Sequence, residues 1–315
     1  MRRCGLPLCE ECGQEVTSHR QECDLLAHNN KVFSVGSAQE AARTYPLVTI
    51  LRLLLSGRAG QLESHAAARA GTPIWLYVEA TVVPVLCQLR APGGEQLFSP
   101  EAVHGAAGEL DTNTFELKTV DSVSNQYQET GDNISTLSTQ EGRVARLGRA
   151  LYSRASLLNN SCVPSVVRQW GGWGELRLVT ARAVARGEQL TICYTGLLQP
   201  TRTRQLVFSQ TKHFTCGCAR CRDPTELGTH LGSVLCGCGA AVSPAQDECA
   251  ECGRGVAREE AAAVLERCDA LVGRLGPATD CLVWSSLGRK LAALLPTNNY
   301  IFAQVSNFVV VGYNG

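Results

Sequence analysis

The sequence predicts an α+β protein: small sheets and helical segments gathered around zinc-binding cysteine clusters. Three observations lead there. The 315 residues include 16 cysteines, most of them in short clusters separated by one or two positions. Strand-like alternation is confined to two neighbouring runs, ELRLVTARAV and QLTICY. Helical periodicity marks a run near the N-terminus and a longer one toward the C-terminal end.

Taken in order, residues 1–25 are cysteine-rich and read as irregular metal-binding turns. From Ala38 to Ser56 the run AQEAARTYPLVTILRLLLS is apolar at helical spacing after the punctuation at Pro46, so a helix is expected. Residues 57–112 mix helical stretches with Pro and Gly breaks and contain VVPVLCQL, which leans toward strand. The stretch from Thr119 to Glu141 is rich in Ser, Thr, Asn, Gln and Asp and reads as a surface loop, with disorder an option. Between Ala150 and Tyr194 the two strand runs flank a turn at Arg186-Gly187-Glu188. From Ala257, AREEAAAVLERCDALVGRL and then KLAALL repeat Ala and Leu at three and four, a helical pattern. The chain stops at VVVGYNG with neither a helix cap nor a polar end, which reads as a cut.

Composition excludes several classes. Hydrophobic residues make up 44% of the chain, enough for a core, yet no stretch approaches the length of a membrane span. The start, MRRCGLPLCEECG, has two arginines but no apolar centre, so it is not a secretory signal. A cytoplasmic or nuclear location is expected, not a secreted one. With 29 basic and 29 acidic side chains, nothing suggests direct nucleic-acid binding. The close cysteine pairs suit a metal better than a disulfide, because two thiolates on one tight turn can face one ion.

Cys216-x-Cys218-x2-Cys221 offers three thiolates and leaves a tetrahedral ion one ligand short. Cys162, in LLNNSCVPS, is the candidate fourth. Cys236-x-Cys238 and Cys249-x2-Cys252 supply four thiolates by themselves, the strongest local metal signal in the chain. At the N-terminus Cys4, Cys9, Cys12, His19 and Cys23 have ligand spacing. Five donors make either one complete site with an orphan or two incomplete sites, and His19 can also be read as a surface histidine. Cys87, Cys193, Cys268 and Cys281 lie in apolar surroundings and read as buried small hydrophobes.

Together these motifs resemble the SET-and-MYND family of lysine methyltransferases, especially its arthropod subgroup. ALYSRASLLNNSCVPS is similar to the family's LYPxxSLLNHSCxPN segment, and GEQLTICYTGLLQPTRTRQLVFSQTKHFTCGCARC follows its GEELTISY…F-x-C-x-C-x2-C pattern. LDTNTFEL resembles its Asn-x-Phe segment, and LLPTNNYIFAQVSNFVVVGYNG the start of its C-terminal helical repeats. The resemblance implies a SET-domain β-fold of small sheets with a threaded loop, helical inserts and a partial C-terminal helical domain. The implied organisation is a partial MYND finger at 1–25 and a helical insert region at 26–149. The SET core follows at 150–212, a post-SET zinc motif at 213–222, a further zinc-binding loop at 223–256 and a tetratricopeptide-like helical domain from 257 to 315.

The implied activity is transfer of a methyl group from S-adenosylmethionine to a lysine of a protein substrate, histone tails among the candidates. The resemblance makes Tyr194 the catalytic tyrosine and Asn113, Asn159, Asn160, Tyr194 and Phe214 the cofactor contacts. It also supports Cys162 as fourth ligand to Cys216, Cys218 and Cys221. Asn160 stands where the family has histidine, Ser165 where it has asparagine, and Lys212 where it has a second pocket tyrosine. No Gly-x-Gly strand precedes the finger, so a truncated product is expected. The alternative expectation is a catalytically impaired zinc-dependent interaction module, with a peptide partner at the MYND region.

Overall fold

The computed structural model describes residues 4–6, 17–119, 145–171, 174–275, 281–302 and 304–305. Most of the polar stretch from Thr119 to Glu141, the tail VVVGYNG, and Cys9 and Cys12 lie outside the described residues. The chain divides into two compact units, one of Met1–Phe115 with Arg149–Leu157, the other of Glu116–Gly148 with Leu158–Gly315.

The first unit is helical. Helix α1 (Thr17–His28) is followed by α2 (Ala38–Leu55), whose start is fixed by a reciprocal capping box between Ser37 and Glu40. Thr44, Leu47, Val48 and Leu51 fall at i, i+3, i+4 and i+7 and form its buried stripe. The helix matches the run expected from Ala38 to Ser56, and Pro46, read as punctuation, lies inside it. The strong cap and the buried stripe hold the helix across a residue that lacks an amide proton. Two short helices, α3 (Ala66–Arg69) and α4 (Pro73–Thr81), come next.

VVPVLCQL, read as leaning toward strand, is instead centred on helix α5 (Val83–Leu86). Pro84 sits in its first turn, where a fixed φ helps and no donor is lost. Val82, Val83, Leu86 and Leu89 are buried, a spacing that covers one helical face. Burial against helices has overridden β-propensity. Helix α6 (Pro100–Asn113) starts at Ser99, whose hydroxyl accepts from Ala102 N. Val103, Ala106 and Ala107 on α6 join α2 and α5 in one core. On the same face Gly108 is obligatory, since a Cβ there would stand 2.3 Å from the Ser64 carbonyl oxygen.

Strand β1 (Thr114–Thr119) pairs with β2 (Ala145–Leu151). In the second unit, β3 (Asn159–Asn160), β4 (Val166–Trp170), β5 (Leu176–Thr180) and β6 (Thr191–Ile192) form two small sheets. The predicted strand ELRLVTARAV contracts to β5, antiparallel to β4. QLTICY contracts to β6, which runs parallel to β3 with Asn159 opposite Thr191 and Asn160 opposite Ile192. Ser165, fully buried, locks the two sheets. Its amide donates to Thr191 Oγ1 and its hydroxyl accepts from the Thr191 amide at 2.9 Å.

Helix α7 (Thr201–Val207) runs into a π-helical turn at Phe208–Lys212, and α8 (Ala219–Arg222) follows. Beyond the hairpin of β7 (Val234–Leu235) and β8 (Ala241–Val242) come α9 (Arg258–Arg274) and α10 (Cys281–Leu291). The observed class is α+β, with only two-stranded sheets among the described residues. No helix among the described residues is long and apolar enough to cross a membrane.

Candidate active site and metal centres

The parallel register of β3 and β6 brings Asn160 next to the end of β6, where Tyr194 emerges. Asn160 Oδ1 accepts the Tyr194 amide at 2.9 Å, and Asn160 Nδ2 donates to Cys216 Sγ at 3.3 Å. One side chain therefore links a cysteine cluster to the tyrosine. The Tyr194 hydroxyl donates to the Leu158 carbonyl at 2.6 Å. Burial raises its pKa, so the phenol remains a neutral donor.

Phe214 meets the Tyr194 ring edge-on, with centroids 6.4 Å apart and planes at 86°. Phe208, completely buried in the π-helical turn, stacks behind Phe214 at 5.0 Å. The turn ends at His213, whose φ of +54° reverses the chain and aims Phe214 back at Phe208. Lys212, on the same turn, holds its ammonium 5.9 Å from the centre of the Tyr194 ring. Asn159, the neighbour of Asn160 in β3, is exposed.

Asn113 belongs to the first unit. Its amide donates to the carbonyls of Glu63 and Glu109, each at 2.8 Å.

Three groups of metal donors form. Cys162, Cys216, Cys218 and Cys221 place their sulfurs within 4.8 Å of one another, with Cys162 and Cys221 at 3.5 Å. Gln205 on α7 grips the first of the triplet twice, accepting the Cys216 amide and donating to its carbonyl. Three of the four thiols, Cys162, Cys216 and Cys221, resist ionisation. Cys162 is pushed up to about 12, chiefly by its bond to Cys193 and further by burial. Cys221 is also raised, first by Cys162. A divalent ion reverses that preference, since coordination removes the proton outright. The donor set therefore fits a tetrahedral Zn²⁺ with four thiolates.

Behind it lies a buried charge cluster that sequence reasoning missed. Arg204, completely buried, donates to Glu226 Oε2 at 2.8 Å, to Thr201 Oγ1 at 2.7 Å and to Cys221 Sγ at 3.5 Å. Arg220 donates to the same Glu226 oxygen at 2.9 Å. Burial pushes the Glu226 carboxyl up, but the Thr201 amide and the two guanidiniums outweigh it and hold it below its ordinary value. Two guanidiniums against one carboxylate leave a net positive environment beside the thiolates, which suits the negative charge of a four-thiolate zinc centre.

In the first unit Cys4, His19 and Cys23 form a second group, with His19 Nε2 3.5 Å from Cys4 Sγ. His19 is buried, not a surface residue. Its Nδ1 contacts Glu22 Oε1 at 2.5 Å, and Arg52 from α2 holds both Glu22 oxygens at 2.6 Å. A carboxylate behind a histidine is the arrangement that orients imidazole ligands in metal sites. The signal was present in the sequence, because Glu22 follows His19 by three on a helix. The third group is Cys236, Cys238, Cys249 and Cys252. Of the four cysteines read as small hydrophobes, Cys193 and Cys268 are buried and Cys87 is half-buried against the core. The side chain of Cys281 lies outside the described residues.

The chain is similar to the SET domain-containing protein SmydA-8, isoform B, of Drosophila melanogaster. The two are 28% identical over 246 residues, 77% of this chain and 49% of the relative. Shorter matches include the histone-lysine N-methyltransferase ATXR4 of Arabidopsis thaliana, 38% identical over 82 residues, 26% of this chain and 25% of the relative. The histone-lysine N-methyltransferase SMYD3 of Mus musculus is 37% identical over 79 residues, 25% of this chain and 18% of the relative. The chain spans about half the length of the SmydA-8 proteins it matches. No protein-family model matches it.

Proposed function

From its kinship with SET-domain proteins of the SmydA and SMYD type, we propose that this chain is an S-adenosylmethionine-dependent protein-lysine N-methyltransferase with Tyr194 as the catalytic residue. The observation that carries the reading is the Tyr194 hydroxyl, held by the Leu158 carbonyl and flanked edge-on by Phe214. Asn159, Asn160 and the rings of Tyr194 and Phe214 are the second unit's cofactor contacts in this reading. Paired ring surfaces suit a sulfonium, which aromatic faces attract. S-adenosylmethionine supplies a methyl carbon already activated for displacement by an amine.

The chain's own groups do the rest. Tyr194, anchored by its hydroxyl and its amide, presents a fixed ring and oxygen against which a lysine amine is aligned. The Lys212 ammonium beside that ring disfavours a second positive charge nearby. An arriving lysine therefore gives up its proton to bulk solvent more easily as it enters, and is presented to the site as the neutral amine. Phe208, completely buried, and Phe214 form an apolar wall on one side of this corner. A protein lysine is the substrate, histone tails included. Zn²⁺ held by Cys162, Cys216, Cys218 and Cys221 would staple the segment bearing Phe214 to the strand bearing Asn160, and Cys4, His19 and Cys23 would hold zinc in the first unit.

Calorimetric titration of S-adenosylhomocysteine into the zinc-loaded chain tests this reading, with zinc counted in the same sample. Micromolar binding, about −8 kcal/mol, is expected. The Cys162→Ala chain is expected to carry one zinc fewer and to bind the ligand at least tenfold more weakly. Absence of binding to a folded, zinc-replete chain would sink the proposal, and an unchanged zinc count in the variant would remove Cys162 from the metal site.

A further inference from the structure

The four cysteines between β7 and α9 take no part in the proposed methyl transfer, yet they are built with care. The turn of the β7–β8 hairpin carries Cys236 and Cys238, and Gly239 closes it at φ +89° with its amide on the Cys236 carbonyl at 2.8 Å. The following loop repeats the device. Cys249 and Cys252 flank a tight turn closed by Gly253 at φ +67°, whose amide donates to the Cys249 carbonyl at 2.9 Å. Glycine takes that left-handed conformation without steric cost.

The two turns face each other, with Cys236 Sγ 3.7 Å from Cys252 Sγ and Cys238 Sγ 3.7 Å from Cys249 Sγ. Four sulfurs each about 2.3 Å from one tetrahedral ion stand about 3.8 Å apart. A disulfide would need a sulfur separation of about 2.05 Å.

We propose that Cys236, Cys238, Cys249 and Cys252 hold a Zn²⁺ of their own, separate from the ion at Cys162, and that this metal fixes the fold of the helices that follow. With four thiolates the coordination shell is closed, so no position remains for water or substrate and the role is structural. The loop's regular pairing is short: β7 and β8 pair over two residues, and the second turn adds the antiparallel bridge of Glu248 with Gly255. Its reach into the helical region is nonetheless direct. Cys249 is buried in one core with Val234, Val242, Leu265 and Trp284. The Leu235 amide donates to the Leu294 carbonyl just after α10, and Asn299 Nδ2 donates to the Ser233 carbonyl at 2.7 Å. Metal binding free energy of this kind appears as folding free energy.

The test uses the full chain and compares it with a Cys238→Ser/Cys252→Ser variant and with Cys252→His. Metal content should fall by one equivalent in the double variant. Amide exchange should then accelerate at least tenfold in α9 and α10 while β4 and β5 stay protected. Loaded with Co²⁺, the Cys252→His chain should keep its metal count and show a blue-shifted d–d band, because one sulfur has become a nitrogen. An unchanged metal count in the double variant, or an unchanged Co²⁺ spectrum in the histidine variant, would refute the site. Loss of the metal with α9 and α10 still protected would refute its structural role.

Discussion

The Tyr194→Phe chain is expected to lose methyl transfer by about 10²- to 10³-fold while keeping its zinc and its fold. The factor is that of one preorganised polar group removed from a reacting centre. Phenylalanine fills the same volume, so the contact with Phe214 survives, and the Tyr194 amide still reaches Asn160 Oδ1. Only the hydroxyl is lost, leaving the Leu158 carbonyl without that donor at a cost of about 1–3 kcal/mol. Radiolabelled methyl transfer to a peptide mixture, read beside zinc content and a thermal melt, makes the comparison. Activity within twofold of the parent would take Tyr194 out of the mechanism.

Glu226→Ala is expected to be the most damaging single change to stability, lowering the free energy of unfolding by about 3–5 kcal/mol. Its carboxylate is the shared partner of two buried guanidiniums, Arg204 and Arg220, and it accepts the Thr201 amide at the start of α7. Removal leaves two positive charges buried without their counter-ion. Glu226→Gln separates the causes, since it keeps the size and an acceptor oxygen but not the charge, and it should recover only part of the loss. Because the folded carboxyl lies below its ordinary value of 4.5, its stabilisation is complete above that value and fades as pH falls through the folded one. Denaturant unfolding at neutral pH decides the matter. A change below about 1 kcal/mol would mean that the cluster is solvated in solution.

Metal geometry was the most legible part of the sequence, because a tetrahedral ion demands four donors and the motif Cys216-x-Cys218-x2-Cys221 declares itself one short. The structure brings Cys162 to that cluster from far along the chain. Local patterns served less well where tertiary burial decided the outcome. VVPVLCQL carries strand-forming residues, but its apolar positions find partners on α2 and α6, and so it is helical. Pro46 reads as punctuation, yet α2 runs through it because its cap and stripe are strong. The Arg204–Glu226–Arg220 cluster left no readable trace, since single arginines and glutamates are mostly surface residues and nothing in spacing says otherwise. The double duty of Asn160 was equally hidden. A substitution of histidine by asparagine in a motif gives no hint that both amide atoms are already engaged.

That engagement carries a thermodynamic obligation. One rigid amide reports in one direction to the Cys216 sulfur and in the other to the Tyr194 backbone, so the two ends cannot vary independently. If a filled metal site favours the tyrosine's placement by some factor, occupation of the pocket must strengthen metal retention by the same factor. The chain would then hold its zinc most weakly when idle, and the chelator concentration that strips half of it should rise when S-adenosylhomocysteine is present. An equal midpoint with and without that ligand would mean that the amide is a strut and nothing more. Otherwise the metal is a record of use: a chain that is working keeps it.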